Sequence, residues 1–345
     1  MQRIVMASTR RSAGKTGIIA GIVSTMKLKA GYMKPMGDRL LYQKKRLWDY
    51  DAALMAKLWS LKEDPENMTL GFEQAKLRFM YDADSLKKRL EETAKTMETG
   101  KDILFIEGGP DLAFGSSVNL DADAVARMLG AKLVLVLGGS DDQVSDDLAF
   151  VKAHVEATGN PVAGVIVNRV SDPEDFRNTR LTGLAGSGIK VLGVLPHRPE
   201  LARISVGFVA DRLFAKVLSG ESNMNSLVKN VLVGSIGSEA ALREAFKKER
   251  MLIITSGDRS DVILAALEAD TAGVVLTNDM LPPSSIIARA AEKNLPLLLV
   301  PHDTHEAARQ IDALEPLLTA GDTDKTALLE RDIRAGVDLK TLLPG

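Results

Sequence analysis

Short apolar runs rich in Val, Ile and Leu recur along this chain between longer amphipathic stretches. That alternation is the pattern of parallel strands joined by helical crossovers. In the first part, residues 3–7, 31–35, 103–107, 133–137, 163–168 and 191–195 are predicted strands, each ending near small or polar residues. Doubly wound sheets place their sites at such strand ends. Around Ser219-Gly220-Glu221-Ser222-Asn223 the pattern breaks into a small polar stretch, which predicts a domain boundary between 1–220 and 221–345. A second series follows, with predicted strands at 230–234, 251–255, 273–277 and 296–300 and helices beginning near Ser238, Asp258, Pro283 and Asp303. Residues 322–345 predict one more helix and a frayed end, counted with the second domain. The expected fold is α/β: a doubly wound, mainly parallel sheet domain followed by a smaller α/β domain.

Composition narrows the classes of function. The chain of 345 residues is long enough to bury two cores, and 45% hydrophobic with 26% charged residues is globular usage. No apolar run approaches the roughly 20 residues that cross a bilayer. The N-terminus MQRIVMASTR runs straight into a strand-like stretch without the parts of a secretory leader, so a cytoplasmic location and no membrane partner are expected. The absence of cysteine excludes disulfides, thiolate metal sites and thiol nucleophiles, and leaves hard cations such as Mg²⁺ held by oxygen. Forty-four basic against 46 acidic residues give a net charge of −2, so no global field argues for nucleic acid.

After the first strand comes Ser8-Thr9-Arg10-Arg11-Ser12-Ala13-Gly14-Lys15-Thr16, leading into an apolar, helix-like stretch. Strand, loop and helix in that order form an anion cradle from successive backbone N–H groups and the positive end of the helix. Lys15 would bring charge to the terminal phosphates, and Thr16 its hydroxyl to Mg²⁺. The common phosphate-loop pattern has glycine five residues before Gly14, where this chain has Thr9. Arg10 and Arg11 could clamp phosphate charge or lie in solvent. Lys27, Lys29, Lys34, Arg39, Lys44, Lys45 and Arg46 concentrate positive charge just beyond the loop. With Thr16, Glu107 at a strand end and Asp51 near a helix start offer three hard oxygens that suit Mg²⁺; the alternatives are a surface carboxylate for Glu107 and a helix cap for Asp51, with Asp49 competing for the role of Asp51.

The loop resembles that of the P-loop class containing dethiobiotin synthetase and the cobyrinic acid amide synthetases, which carries its first small residue one position earlier, where Ser8 stands. Gly31-Tyr32-Met33-Lys34-Pro35 is similar to the end of the second strand in dethiobiotin synthetase, which implies that Lys34 faces the phosphates or a substrate. The resemblance further implies Asp51 and Glu107 as Mg²⁺ carboxylates beside Thr16, and Asn168 as a purine contact. Residues 256–267, with Asp258-Arg259, together with 272–278 and 302–308, resemble the DRTGG domain, although Ser260-Asp261-Val262 replaces its Thr-Gly-Gly. A dethiobiotin-synthetase-like domain followed by a DRTGG domain is the layout of the N-terminal regulatory half of long phosphotransacetylases. No residues remain after Leu343-Pro344-Gly345 for their acetyltransferase domain, so acetyl transfer by this chain itself is not expected.

Asp258 and Asp303 each follow a strand and open a helix, which capping explains. The functional alternative is an effector site in which Asp258, Arg259 and Asp303 surround a small anionic metabolite or nucleotide. Two functions follow from the resemblance. One is a Mg²⁺-dependent, ATP-binding regulatory or sensor protein acting on a partner enzyme, with at most slow ATP hydrolysis. The other is an ATP-dependent ligase that activates a carboxylate or carbamate. The resemblance also implies a homodimer.

Overall fold

The computed structural model describes residues 1–43, 45–180, 188–234 and 249–343. The chain forms two compact units, Met1–Arg198 with Thr323–Gly345, and Pro199–Asp322.

In the first unit, strands β1 (Gln2–Ser8), β2 (Ala30–Met33), β5 (Ile103–Glu107), β6 (Lys132–Gly138), β7 (Val162–Val170) and β8 (Val191–Pro196) form one sheet in the order β2-β5-β1-β6-β7-β8. Every pairing in it is parallel. Burial on both faces explains why these strands read as continuous apolar runs: Ile103, Leu104, Phe105 and Ile106 are all at most 2% exposed. The order reverses at β1, so the crevice beyond its C-terminal end is the position where doubly wound sheets hold ligands. Helix α1 (Lys15–Met26) starts there. A separate antiparallel hairpin, β3 (Leu40–Gln43) with β4 (Arg46–Asp49), leads into α2 (Tyr50–Leu58).

The second unit carries β9 (Lys216–Ser219), β10 (Asn230–Val233), β11 (Met251–Ser256), β12 (Thr271–Thr277) and β13 (Leu297–Leu299) in the order β10-β11-β12-β13-β9. It is parallel except where β9 runs antiparallel to β13. Its two faces are covered by separate apolar clusters, one around Ile253, Val274 and Leu297 and the other around Ile254, Val275 and Leu298.

Two expectations are corrected. The boundary falls after Arg198 and not near Gly220, because β9 pairs with β13 and helix Val206–Leu213 packs into the second unit's core. Residues 323–345 belong to the first unit, because helix Thr323–Gly336 packs along α1. The helix expected near Ser238 lies outside the described residues.

Candidate functional site

The loop between β1 and α1 has left-handed backbone at Ser12 (φ 59) and Gly14 (φ 100), the kind of turn from which anion-binding concavities of successive amides are built. Gly14 precedes α1 without any side-chain cap, so the first amides of the helix stay available to an anion. A Cβ on Gly14 would come within 2.4 Å of Asn168 Nδ2. Asn168 itself donates to Ala13 O at 2.8 Å, so the end of β7 braces the loop.

Lys15 is 7% exposed and folds back over the loop, donating to Ser8 Oγ at 2.7 Å. Burial lowers its pKa from the ordinary lysine value, against the pull of Glu107. Ser8 in turn donates to Arg10 O at 2.8 Å. The Arg10 guanidinium grips Asp147 through two bonds of 2.9 Å, and Thr9 donates to the same carboxylate at 2.7 Å. Arg11 is exposed.

Glu107 ends β5 beside β1 and is 1% exposed, so the surface reading of this carboxylate is corrected. Thr16 Oγ1 donates to its Oε1 at 2.9 Å and Tyr32 OH to its Oε2 at 2.9 Å. Burial, with the Asp51 charge adding to it, pushes the Glu107 carboxyl up to about 7.

The capping alternative for Asp51 belongs to Asp49. Asp49 precedes α2 and accepts from Asp51 N at 2.9 Å and Ala52 N at 3.2 Å, while its other oxygen accepts from Asp38 N and Arg39 N. Asp51 is thereby free to turn toward Lys34, which donates to Asp51 Oδ2 at 2.6 Å, and toward Arg39, whose Nη1 lies 2.9 Å from the same oxygen. Lys34 is 1% exposed, pairs also with Asp38, and lies 3.7 Å from Asp49. Among the described residues, Asp38, Asp49 and Asp51 are the carboxylates whose oxygens cluster within 4.8 Å of one another. Burial pushes Asp49 up to about 6 against the Lys34 charge. Burial acts the same way on Asp51, but Lys34 and Arg39 outweigh it and hold Asp51 below the ordinary value.

The basic stretch therefore divides. Lys34 and Arg39 are drawn into this cage, and Arg46 pairs at the surface with Asp64 and Glu66. Sequence reasoning missed Tyr32 as a Glu107 partner, and it missed Asp38 and Asp147. Asp147 sits on helix Asp141–Thr158, more than a hundred residues from the loop it holds, and no local signal marks it.

In the second unit Asp303 caps helix Thr304–Asp312 by accepting from Glu306 N at 2.8 Å. Asp258 does not cap: helix Ser260–Leu267 starts later, with Arg259 at the N-cap position, and Arg259 turns to Asp261 through bonds of 2.9 and 2.8 Å. Asp258 and Asp303 are exposed at the strand ends. Asp303→Ala is expected to cost about 1 kcal/mol and Asp258→Ala less than about 0.5 kcal/mol. Hydrogen exchange over residues 304–312 and 260–267 reads both, and equal effects would contradict the assignment of caps.

A phosphate-type loop between the first strand and first helix of a parallel sheet, joined to a smaller α/β unit, defines a two-unit P-loop protein. The AAA domain model matches residues 2–205 and the DRTGG domain model residues 208–314. The chain belongs to the AAA domain family, whose model covers more than half of it. The phosphate acetyltransferase of Pseudomonas putida is 26% identical over 365 residues, covering 98% of this chain and 51% of that protein. That of Synechocystis is 26% identical over 342 residues, covering 93% and 48%. The chain thus spans about half the length of the curated relatives it matches, with the P-loop and DRTGG layout of a phosphotransacetylase regulatory half.

Among solved structures, the CBS and DRTGG domains of the regulatory region of Clostridium perfringens pyrophosphatase, complexed with the activator diadenosine tetraphosphate, share 24% identity. That likeness covers 34% of this chain and 49% of that one at a TM-score of 0.30. The MinC:MinD cell division complex of Aquifex aeolicus shares 17% identity over 58% and 84%, at a TM-score of 0.38. No described helix is long and apolar enough to cross a membrane.

Proposed function

We propose that this chain binds Mg²⁺·ATP at the loop of residues 8–16 and acts as a regulatory or sensor protein on a partner enzyme. The observation that carries the reading is the pairing of Thr16 with the buried Glu107, beside Lys15 and the uncapped start of α1. Thr16 and Glu107 offer adjacent hard oxygens, and the nearby Asp51, here bonded to Lys34 and Arg39, offers a third, a donor set that suits Mg²⁺. The ion would neutralise phosphate charge when bound. The chain's own part is to present loop amides and the Lys15 ammonium to the phosphates and to keep Glu107 dry. The regulatory reading is supported by relatives that are phosphate acetyltransferases, about half of whose length this chain spans. A homodimer, a cytoplasmic location and an anionic effector at the strand ends near Asp258, Arg259 and Asp303 belong to the same proposal.

Calorimetric titration with the nonhydrolysable analogue AMPPNP and Mg²⁺ tests the proposal, beside Lys15→Ala and a phosphate-release assay with ATP. The wild type is expected to bind, Lys15→Ala to lose at least tenfold in affinity, about 1.4 kcal/mol, and phosphate release to stay slow. Rapid Lys15-dependent release would turn the reading toward the ligase. No binding by the wild type would sink it.

A further inference from the structure

The helix that opens at Lys15 carries glycine at positions 17 and 21, and each costs about 1 kcal/mol of helix stability relative to alanine. Four residues apart, they lie on one face of α1. Helix Thr323–Gly336 packs along α1, and its side chains meet that face. A Cβ on Gly17 would lie 3.5 Å from Leu329 Cδ1, and one on Gly21 would lie 3.0 Å from Ile333 Cγ1 and 3.3 Å from Leu329 Cβ. Farther along, Thr25 Oγ1 donates to Glu330 O at 3.2 Å. The contact therefore starts at the residue after Thr16 and continues to the last turn of α1. Gly21 forms the notch that lets the two helices approach so closely, whereas a Cβ at Gly17 would make only ordinary contact.

The chain's course gives this contact a second meaning. The second unit, Pro199–Asp322, is inserted in sequence between Arg198 and Thr323. Arg198, the last residue before the insertion, grips Asp332 on the returning helix through bonds of 2.7 and 2.8 Å, with the Asp332 side chain 10% exposed. Both ends of the insertion are thus fixed to one helix, and that helix is seated on the one that carries Lys15 and Thr16.

We infer that Leu329, Asp332, Ile333 and Arg198 are positioning residues for the phosphate loop, so that helix Thr323–Gly336 couples the second unit to the placement of Lys15 and Thr16. The inference rests on the nucleotide reading of that loop. Coupling of this kind is reciprocal: what sets the loop is in turn set by a nucleotide bound there.

The test is hydrogen–deuterium exchange of the full chain with and without Mg²⁺·AMPPNP, with calorimetry on the same samples. In the wild type, the analogue is expected to slow exchange over residues 323–336 as well as over 8–16. In Asp332→Asn the slowing over 323–336 is lost, that over 8–16 persists, and the dissociation constant rises by at least about fivefold. The charge-swapped Arg198→Asp/Asp332→Arg pair restores part of the lost slowing. These readouts are differences made by the nucleotide, which a merely structural helix would not show. Calorimetric binding with slowing over 8–16 and none over 323–336 in the wild type overturns the inference, as does an Asp332→Asn protein that matches the wild type in both slowing and affinity. Absence of calorimetric binding instead overturns the nucleotide reading, and this inference with it.

Discussion

Lys34→Met lowers the stability of the first unit by about 3–5 kcal/mol at pH 8, the loss typical when one member of a buried ion cluster is removed. Methionine keeps most of the stem's volume, so the change isolates the ammonium. That group bonds Asp51 at 2.6 Å, pairs with Asp38 and lies 3.7 Å from Asp49, in surroundings where Lys34 is 1% exposed. Burial alone would favour its neutral form, yet Asp51, Glu107, Asp49 and Asp38 outweigh burial and raise its pKa. Without the ammonium, burial holds a proton on Asp49 to still higher pH in the folded chain than in the unfolded one. Stability is then lost as pH rises above the ordinary aspartate value, roughly 4, so the gap between variant and wild type is narrower at pH 5 than at pH 8. Adding Asp51→Asn to Lys34→Met returns part of the loss, because one uncompensated charge is gone. Both tryptophans, Trp48 and Trp59, lie in the first unit, and Trp59 meets Tyr32 edge-on at 6.2 Å, so urea unfolding followed by tryptophan fluorescence reads this unit. A variant within about 1 kcal/mol of the wild type at pH 8, or a gap unchanged between the two pH values, would contradict the charge cage.

The same cage shows where the sequence stops being legible. The parallel strands could be read because burial on both faces leaves continuous Val, Ile and Leu runs, and the β1 to α1 loop because its residues are contiguous. The β3–β4 hairpin could not. Its exposed positions Leu40, Tyr42 and Leu47 are apolar and its surroundings basic, so the stretch reads as a charged connection. Strand β9 is four residues long and runs into the polar stretch Ser219-Gly220-Glu221, which imitates a linker. The C-terminal helix looks the same in sequence whichever unit it packs on; the role of Gly21 as a notch appears only when Leu329 and Ile333 are set against it. Asp49 and Asp51 are not separable in sequence, since aspartate suits a helix start at either position, and only the hydrogen bonds assign the cap to the first.

Glu107→Gln is expected to stabilise the ligand-free protein at pH 8 while weakening its binding of Mg²⁺·AMPPNP. The Glu107 carboxyl is raised from its ordinary 4.5 to about 7, by burial first and then by the Asp51 charge, although Lys34, Lys15 and the Thr16 hydroxyl oppose the shift. Between those two values the folded chain holds a proton that the unfolded chain has lost, so stability falls as pH rises through the window. Above it the charged form costs about 3 kcal/mol relative to an unshifted carboxyl. Glutamine carries no such charge, and its side chain can keep both partners, since the Thr16 and Tyr32 hydroxyls accept as well as donate. The variant should therefore exceed the wild type in urea resistance at pH 8 and approach it toward pH 4.5. A variant less stable than the wild type at pH 8 would mean that the hydrogen bonds to the carboxylate outweigh its desolvation. The expected pair of results has one physical cause: a carboxylate held dry at a strand end is costly to the empty fold, and that cost falls when a cation shares its charge.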